Sequence, residues 1–480
     1  MKKVGLALAL LATTSFSALA GPSADDAAKL QASLQAYLGA APETLKVTPD
    51  GDGFKAVFDF TTALAAAKAD GAEVSVSPVE LHLTPDGAGK WKVKHQGPFK
   101  FSMKLKDQLD LEENLETLAI NGTFDEALGT FSDYDAAASN VTFNETMDDP
   151  AGTNVKADGK FDGASVKGTA IANAAGGADL KFTETIGTGA IHELMASKES
   201  PPLDLQIKFG GGDFAGTATG ARTSAVPPLL KFLAAHQDKD AMVKDQQAFK
   251  DMLIALLPVF NNTQGQGTIN KIEVQTPMGL AAIDKLTASI NINGAVKDGH
   301  FEEGLSVEGL TLPPGLVPAW AASLVPKSSG FNIAVTGFDA ETPARAWLGA
   351  LDLSKDPPVA PDVVDALMGS FLPKGAVDVT ISKTGVSNDT YAFTAEGTFA
   401  AGPQAMPTGK AHLSAKGLDE IMKVVQASPP EAGLQSGAAL IIAAKGLGKA
   451  GSDGALSWDV EATPDGKVTV NGTDMSKFGK

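Results

Sequence analysis

Short stretches in which apolar and polar residues alternate, separated by Asp-Gly or Asn-Gly pairs, are the feature that most restricts how this chain folds. The motif Thr-Pro-Asp-Gly occurs at residues 48–51, 84–87 and 463–466, each time between two alternating segments. Alternation with a period of two is typical of a strand with one buried face, and these dipeptides adopt the positive φ angles of tight hairpin turns. The sequence therefore predicts β-hairpins along the whole chain of 480 residues.

The last of these hairpins shows the pattern most clearly. Apolar residues occupy every second position of 456–462 and return at 468–470, whereas Ser457, Asp459 and Glu461 take the positions between them. This arrangement predicts an antiparallel pair with one buried and one solvated face. Similar strands are predicted at 54–60, 74–83 with a change of parity at Pro78, 99–105, 155–174, 285–296 and 376–400.

Short helices are predicted between the strands. Ser23 and Asp26 form a capping box, and Leu30 and Leu34 follow on one face of a helix that we expect to end at Gly39. A longer apolar stripe predicts a helix over 242–257, paired with a shorter helix around 229–233. Further helices are predicted at 317–324, 347–351, 363–371 and 418–425. The fold class is α+β, with hairpin-rich curved antiparallel sheets covered by short amphipathic helices.

The first twenty residues predict a secretory signal peptide. Lys2 and Lys3 precede an apolar stretch over 4–12, and a small-x-small cleavage site follows at 18–20. We expect cleavage near Ala20 and a location in the periplasm or outside the cell. The apolar stretch is too short to span a hydrocarbon core of about 30 Å, and no later segment approaches the ~20 apolar residues of a transmembrane helix.

We expect the mature chain to form two lobes. Residues 21–225 are predicted to form a strand-rich N-terminal lobe, and residues 226–480 a C-terminal lobe of helices and strands. The boundary is placed from the Ser-Pro-Pro step at 200–202 and from the predicted helical pair that begins after Pro227-Pro228.

The charge of the chain argues against nucleic acid as a partner. Lysine and arginine number 39 against 57 aspartates and glutamates, which gives a formal net charge of −18. Binding to a phosphate backbone depends on concentrated basic residues that displace counterions. Cysteine is absent, so disulfides, thiolate nucleophiles and a lipid-modified cysteine are all excluded.

No motif in the sequence indicates catalysis or a cofactor. The histidines do not show the local spacing of metal ligands. The segment Gly446–Gly451 matches the G-x-G-x-x-G pattern, but it leads into an alternating strand rather than into the helix that a dinucleotide site requires. We predict no catalytic, metal or cofactor site, and we interpret the glycine-rich segment as a connection between strands.

One basic segment stands out from the acidic background. Its lysines lie within seventeen residues that contain no acid, and apolar residues take the alternate positions. With a turn at 95–98, this segment predicts a hairpin with a basic face and an apolar face. The basic face is either the outer surface of a sheet, with lysines paired to neighbouring acids, or a patch for anionic lipid headgroups or acidic envelope polymers. The lysines are Lys90, Lys92, Lys94, Lys100, Lys104 and Lys106.

Three C-terminal stretches resemble a bacterial secreted family known only as domain of unknown function 2125. They are Leu310-TLPPGLVPAW-Ala321, Ala401-GPQAMPTGKAHLSAKGLDEIM-Lys423 and Pro464-DGKVTVNGTDMSKFG-Lys480. The resemblance covers about the last 250 residues and implies export to the envelope, but no activity, cofactor or site. More distantly, the layout is similar to AsmA-type envelope proteins, which are associated with outer-membrane lipid homeostasis. Such proteins generally carry a membrane anchor, which we do not expect in the mature form of this chain.

The sequence leaves three hypotheses for function. The first is a soluble periplasmic protein without enzymatic activity, whose sheets form an apolar groove for a lipid-like ligand or an envelope partner. The second is an envelope structural or assembly factor without a small ligand, which binds through the lysine segment or a sheet edge. The third is a hydrolase with scattered carboxylates.

Overall fold

A computed structural model of the chain describes residues 22–38, 42–61, 64, 71–106, 108–148, 152–174, 176–198, 200–403, 405–429, 434–451 and 454–475. The predicted signal peptide and the predicted helix end at Gly39 lie outside the described residues. The structure confirms an α+β chain that is mostly antiparallel strand. Its residues group into two compact units, Met1–Thr263 with Ala344–Asp365, and Gln264–Pro343 with Ala366–Lys480. We call these the first and second units.

Strands make up most of the chain, and short helices interrupt them. The strands are β1 (Leu45–Asp50), β2 (Gly53–Phe58), β3 (Ala72–Val76), β4 (Val79–Pro85), β5 (Lys90–Leu105), β6 (Leu109–Asp125), β7 (Thr130–Asp148), β8 (Thr153–Ala172), β9 (Ala178–Ile186), β10 (Gly189–Ser197), β11 (Leu203–Phe209), β12 (Gly212–Ala221), β13 (Asn262–Thr276), β14 (Gly279–Asn293), β15 (His300–Glu308), β16 (Ser328–Thr336), β17 (Val377–Ser387), β18 (Ala392–Gly402), β19 (Ala405–Lys416), β20 (Lys449–Ala450), β21 (Leu456–Ala462), β22 (Val468–Val470) and β23 (Thr473–Asp474). The helices are α1 (Ala24–Gln35), α2 (Val226–Ala235), α3 (Lys239–Lys244), α4 (Gln246–Ala255), α5 (Glu341–Ala350), α6 (Pro361–Phe371), α7 (Leu418–Ala427) and α8 (Gln435–Leu447). A 3-10 helix, Ala319–Leu324, occupies one segment predicted as a helix.

The three Thr-Pro-Asp-Gly motifs form the predicted hairpins. The first joins β1 to β2, the second joins β4 to β5, and the third joins β21 to β22, all antiparallel. Gly51, Gly87 and Gly466 have φ values of 60°, 73° and 78°, which glycine adopts without the steric cost that a Cβ imposes. The turn chemistry therefore determines these three connections as expected.

The predicted capping box begins α1. The Asp26 backbone N–H donates to the Ser23 hydroxyl oxygen at 3.2 Å, and the Ser23 backbone N–H donates to the Asp26 carboxylate at 3.4 Å. This pairing satisfies backbone groups that would otherwise lack partners at the start of a helix. The inward face of α1 carries Ala27, Leu30 and Leu34, all buried. On the same helix, the Gln31 side-chain oxygen accepts from the Val47 N–H of β1 at 2.9 Å.

Two sequence predictions are wrong in detail. The lysine segment is not a hairpin, because β5 runs extended through 95–98, and the pairing register with β6 shifts there by one extra residue on β6, between Leu118 and Leu115. The helix predicted over 242–257 is divided at Asp245 into α3 and α4. Asp245 has left the helical conformation, with φ −105° and ψ 19°, and its carboxylate lies 2.9 Å from His236 Nε2.

A closed hydrophobic core lies where α1 meets β1, β2, β4, β5 and β6. We call it the N-terminal core. Trp91, Phe58 and Phe124 are among its largest fully buried side chains, and the ring of Phe131 meets that of Phe124 edge to face at 5.5 Å. The Trp91 indole N–H donates to Glu126 Oε1 at 2.8 Å, so the one polar atom of that ring is satisfied. Dense packing of this kind makes the N-terminal core a stability centre of the first unit.

Long antiparallel strands continue the first unit beyond this core. The strands β5 to β8 are 16, 17, 19 and 20 residues long and pair in sequence order, while β10 pairs with both β8 and β11. Rings stack across one face, with Phe161 lying 6.4 Å from Phe143 and 6.1 Å from Phe209 between ring centroids. One face is therefore apolar over several strands.

Candidate functional site

A second amphipathic sheet, in the second unit, carries the candidate site. The strands β15, β16, β17, β18, β19 and β21 pair antiparallel in that order. Register places Leu305 opposite Phe331, and Leu413 opposite both Ala395 and Trp458. Side chains at directly paired positions share one face of a sheet. These residues therefore belong to one apolar face that continues across six strands.

Two helices cover one end of this face. Leu418 of α7 packs with Ala415 and Trp458 of the sheet in a small buried cluster, and Ile441 and Ala444 of α8 pack against it. The Trp458 indole N–H donates to the Ala444 carbonyl oxygen at 2.8 Å, which ties α8 to β21. An ion pair between Asp419 of α7 and Lys445 of α8 joins the two helices, and it lowers the pKa of the Asp419 carboxyl.

The rest of the face remains open as a groove with a volume of about 840 Å³. We call it the apolar groove. Its walls are formed by apolar side chains of the sheet and of α8, with a few hydroxyl residues, and no ionisable side chain occurs among the described residues that line it. Phe331 is 42% exposed and Leu440 is 71% exposed, values that are high for large apolar residues. Principal wall residues are Leu305, Phe331, Val386, Leu413, Leu440 and Trp458.

The opposite face of the same sheet is polar and internally paired. His412 Nδ1 lies 2.8 Å from Asp459 Oδ1, and Lys449 Nζ lies 3.0 Å from Asp459 Oδ2. The hydrogen bonds from these two residues lower the pKa of the Asp459 carboxyl. Lys410 pairs with Glu461 at 3.2 Å. This face resembles an ordinary solvated sheet surface, in contrast to the groove behind it.

The structure places the predicted basic residues on one face of β5 and at its end. Lys90, Lys92 and Lys104 form ion pairs with Asp125, Asp86 and Asp110 at 3.3, 2.9 and 2.7 Å. The hydrogen bonds that Lys92 and Lys104 donate to Asp86 and Asp110 raise the pKa of the two lysines. The other members, Lys94, Lys100 and Lys106, are exposed. Three of the six lysines are therefore paired with acids, as expected if the basic face is the outer surface of a sheet.

The helix α8 is the part of the site that sequence reasoning missed. No helix is predicted from the apolar run at 438–444, which forms most of α8. The spacing of Leu440, Ile441, Ala444 and Leu447 matches one helical face and could have indicated it. Gly446 still belongs to α8, Gly448 ends that helix, and the strands β20 and β21 follow. The glycine-rich segment leads into a strand as predicted, but it joins a helix to a strand and not two strands.

Buried acids in the described residues serve the backbone. Asp125 accepts from the N–H groups of Ala127 and Leu128 at 2.9 and 3.2 Å. Asp339 accepts from the Thr342 N–H at 2.8 Å and from its hydroxyl at 2.6 Å, at the start of α5. Neither acid lines the apolar groove. Within the described parts of the chain, no cluster of three or more His, Asp or Glu side chains is arranged to hold a metal ion.

Comparison with protein-family models, with curated proteins and with solved structures found no match to this chain. The resemblance to domain of unknown function 2125 and to AsmA-type proteins therefore stays a prediction. Across the residues that the structure covers, none of the helices combines the length and the hydropathy that a membrane span requires.

Proposed function

We propose that this chain is a soluble periplasmic protein without enzymatic activity that binds a lipid-like ligand in the apolar groove. The observation that carries the proposal is a continuous apolar surface, shaped as a groove of about 840 Å³, on a sheet whose other face is polar. This volume lies in the range of ~300–1,000 Å³ typical of small-molecule sites. Export to the periplasm and the two predicted lobes, divided after residue 225, belong to the same proposal.

Burial of a hydrocarbon chain supplies enough free energy for binding. Each buried methylene contributes about 0.8 kcal/mol, so about fifteen methylenes contribute roughly 12 kcal/mol before the cost of association. A net binding free energy of about −8 kcal/mol corresponds to a dissociation constant of about 1 µM. Affinity in the micromolar range is therefore within reach of a single acyl-length chain that fills the groove.

The test uses the uncharged apolar fluorophore N-phenylnaphthylamine, whose emission rises in an apolar environment. We expect Leu413→Glu to weaken its binding by about tenfold or more, because a carboxylate placed in an apolar wall is costly to desolvate. Thr398→Glu is the matched control, since Thr398 lies on the polar face opposite Lys410 and is exposed. Equal binding by both variants would show that the probe does not occupy the groove.

Ligands that the protein retains provide a second measurement. Organic extraction of protein purified from the periplasmic fraction, followed by lipid mass spectrometry, should recover an apolar compound that the Leu413→Glu variant does not retain. N-terminal sequencing of the same sample tests the predicted cleavage near Ala20. An uncut precursor, or a wild-type protein that neither retains lipid nor binds the fluorophore, would contradict the proposal.

An envelope partner bound through the basic face is the alternative. Lys94, Lys100 and Lys106 are exposed, but the ion pairs of the other three lysines reduce the positive charge that this face offers. In-cell crosslinking of the Lys100→Glu/Lys104→Glu/Lys106→Glu variant distinguishes the two roles. Loss of a stable crosslinked partner favours the alternative, and unchanged crosslinking indicates a solvated surface.

A further inference from the structure

The described residues that line the apolar groove include no charged side chain that could balance a charge on a ligand. Their polar groups are hydroxyl residues such as Ser329 and Thr384, and the Thr384 hydroxyl already donates to the Ser382 carbonyl oxygen at 3.1 Å. Transfer of an ionised carboxylate or phosphate into such surroundings carries a large desolvation cost unless a cation or several donors meet it. The walls therefore favour an uncharged group.

The cations on the helices beside the groove already have acidic partners. Lys445 pairs with Asp419, and Lys423 pairs with Glu420 at 2.8 Å. The hydrogen bond that the Lys423 ammonium donates to Glu420 raises the pKa of Lys423. An anionic headgroup would have to compete with these carboxylates for the lysines. At the end of the groove that α7 and α8 cover, the described lysines of these helices are therefore already neutralised by acids.

The open end of the groove carries an acid instead. Leu305 and Phe331 are exposed there, whereas Trp458 at the other end is buried. Glu303 precedes Leu305 by two residues on β15, is exposed, and lies on the same face because side chains alternate along a strand. A headgroup that emerges beside Leu305 therefore meets a negative charge, on a chain whose formal net charge is −18.

The length of the groove fits a single hydrocarbon chain that lies across the strands. From β15 to β21 the sheet spans five strand spacings of about 4.8 Å, or roughly 24 Å. A bilayer core of about 30 Å contains two layers of acyl chains, so one chain extends about 15 Å. An extended chain of this length occupies roughly two thirds of the groove. We place its tail toward Trp458 and its head toward Leu305.

We propose that the apolar groove selects a lipid with one long hydrocarbon chain and an uncharged head, and that it discriminates against anionic lipids. This inference rests on the proposed function, because it names the class of ligand for the same groove. Two features disfavour an anionic head. The described walls hold no cation to pair with it, and Glu303 at the open end repels it.

The test measures displacement of N-phenylnaphthylamine from the full chain by dodecanol and by dodecanoate at pH 8. These ligands share a chain length and differ in the charge of the head. We expect dodecanol to displace the probe at a concentration about tenfold lower than dodecanoate does. The reason is the repulsion between the dodecanoate carboxylate and the like charge of Glu303 at short range in a partly exposed site. Equal potency, or greater potency of dodecanoate, overturns the inference and leaves the proposed function standing.

Two charge-reversal variants locate the effect. Glu303→Lys should improve displacement by dodecanoate and leave dodecanol unchanged, so that the tenfold difference shrinks. Glu308→Lys introduces the same charge on the same strand but on the opposite face, where Glu308 lies 4.0 Å from Lys285, and should leave the difference intact. Equal effects of both variants would contradict a role for Glu303. If the probe does not bind the wild-type protein at all, the inference and the proposed function fall together.

Discussion

The N-terminal core and the apolar groove are built on antiparallel strands with the same apolar and polar alternation, yet one is filled and the other is open. In the N-terminal core, α1 and several strands enclose side chains such as Val93 and Phe124, which have no exposed surface. In the second unit, α7 and α8 pack over Ala415 and Trp458 and leave Phe331 and Val386 exposed. Both sheets have the same alternation of apolar and polar residues. Whether the apolar face becomes a core or a groove therefore depends on how much of it the helices cover.

The largest expected effect is on stability, and one substitution in each region tests the contrast between the filled core and the open groove. Phe124→Ala should lower the free energy of unfolding by about 3–5 kcal/mol, because it removes a fully buried ring from a packed core. Phe331→Ala should lower it by about 1 kcal/mol or less, because that ring is partly in water. Denaturant unfolding of both variants measures the difference. Similar losses would indicate that the groove is a core like the other.

An intermediate effect is expected where α8 meets the sheet. Trp458→Phe removes the N–H that donates to Ala444, and we expect a loss of about 1–2 kcal/mol from the hydrogen bond and from packing. Hydrogen exchange should show faster exchange of α8 amides, while the amides of α1 keep their protection. If exchange accelerates equally in both helices, the tie between Trp458 and α8 does not control local opening.

The smallest effect concerns the polar side of the first unit. His192 lies between Asp158 and Asp204, at 3.2 and 3.1 Å, and the hydrogen bond to Asp158 raises its pKa above the ordinary value of 6.5. A pKa raised in the folded state adds stability that is complete below the unfolded pKa and is lost as pH rises through the folded one. We expect a small decline in stability above about pH 6.5 that His192→Gln removes.

NMR titration checks this prediction directly. The His192 resonances should titrate above pH 6.5 in the wild-type protein, and Asp158→Asn should move the midpoint downward. A midpoint at or below the ordinary value would contradict the bridging geometry.

Local chemistry makes much of the fold predictable. The Asp-Gly turns place a positive φ where glycine permits it, and the capping box of Ser23 and Asp26 begins α1 where expected. Such features depend on residues close together in sequence. The extended course of β5 through 97–98 is beyond prediction for the opposite reason, because Gly-Pro is typical of a turn, and pairing with the long partner β6 holds β5 extended there.

The apolar face that lines the groove is predictable from the sequence, but the position of the groove on the sheet is not. Alternation assigns Leu456, Trp458 and Val460 to one side of a strand, as the structure has them. The bulge on β17 between Ile381 and Thr384 inserts one extra residue, so the side of the sheet on which odd and even positions lie changes there. Alternation before the bulge therefore does not predict which β17 residues line the groove. Which helices cover the face depends on contacts between residues far apart in the chain, and periodicity carries no information about them.

Fluorescence quenching of Trp458 by a brominated dodecanol reports directly on whether a ligand occupies the apolar groove, because this indole lies in the groove wall and bromine quenches only at short range. We expect saturable quenching of wild-type emission that is largely lost in Trp458→Phe, whose remaining tryptophans are not among the residues that line the groove. Saturable quenching that persists undiminished in Trp458→Phe would place the ligand elsewhere. Emission that does not respond to the brominated alcohol in the wild-type protein would contradict the groove as a binding site.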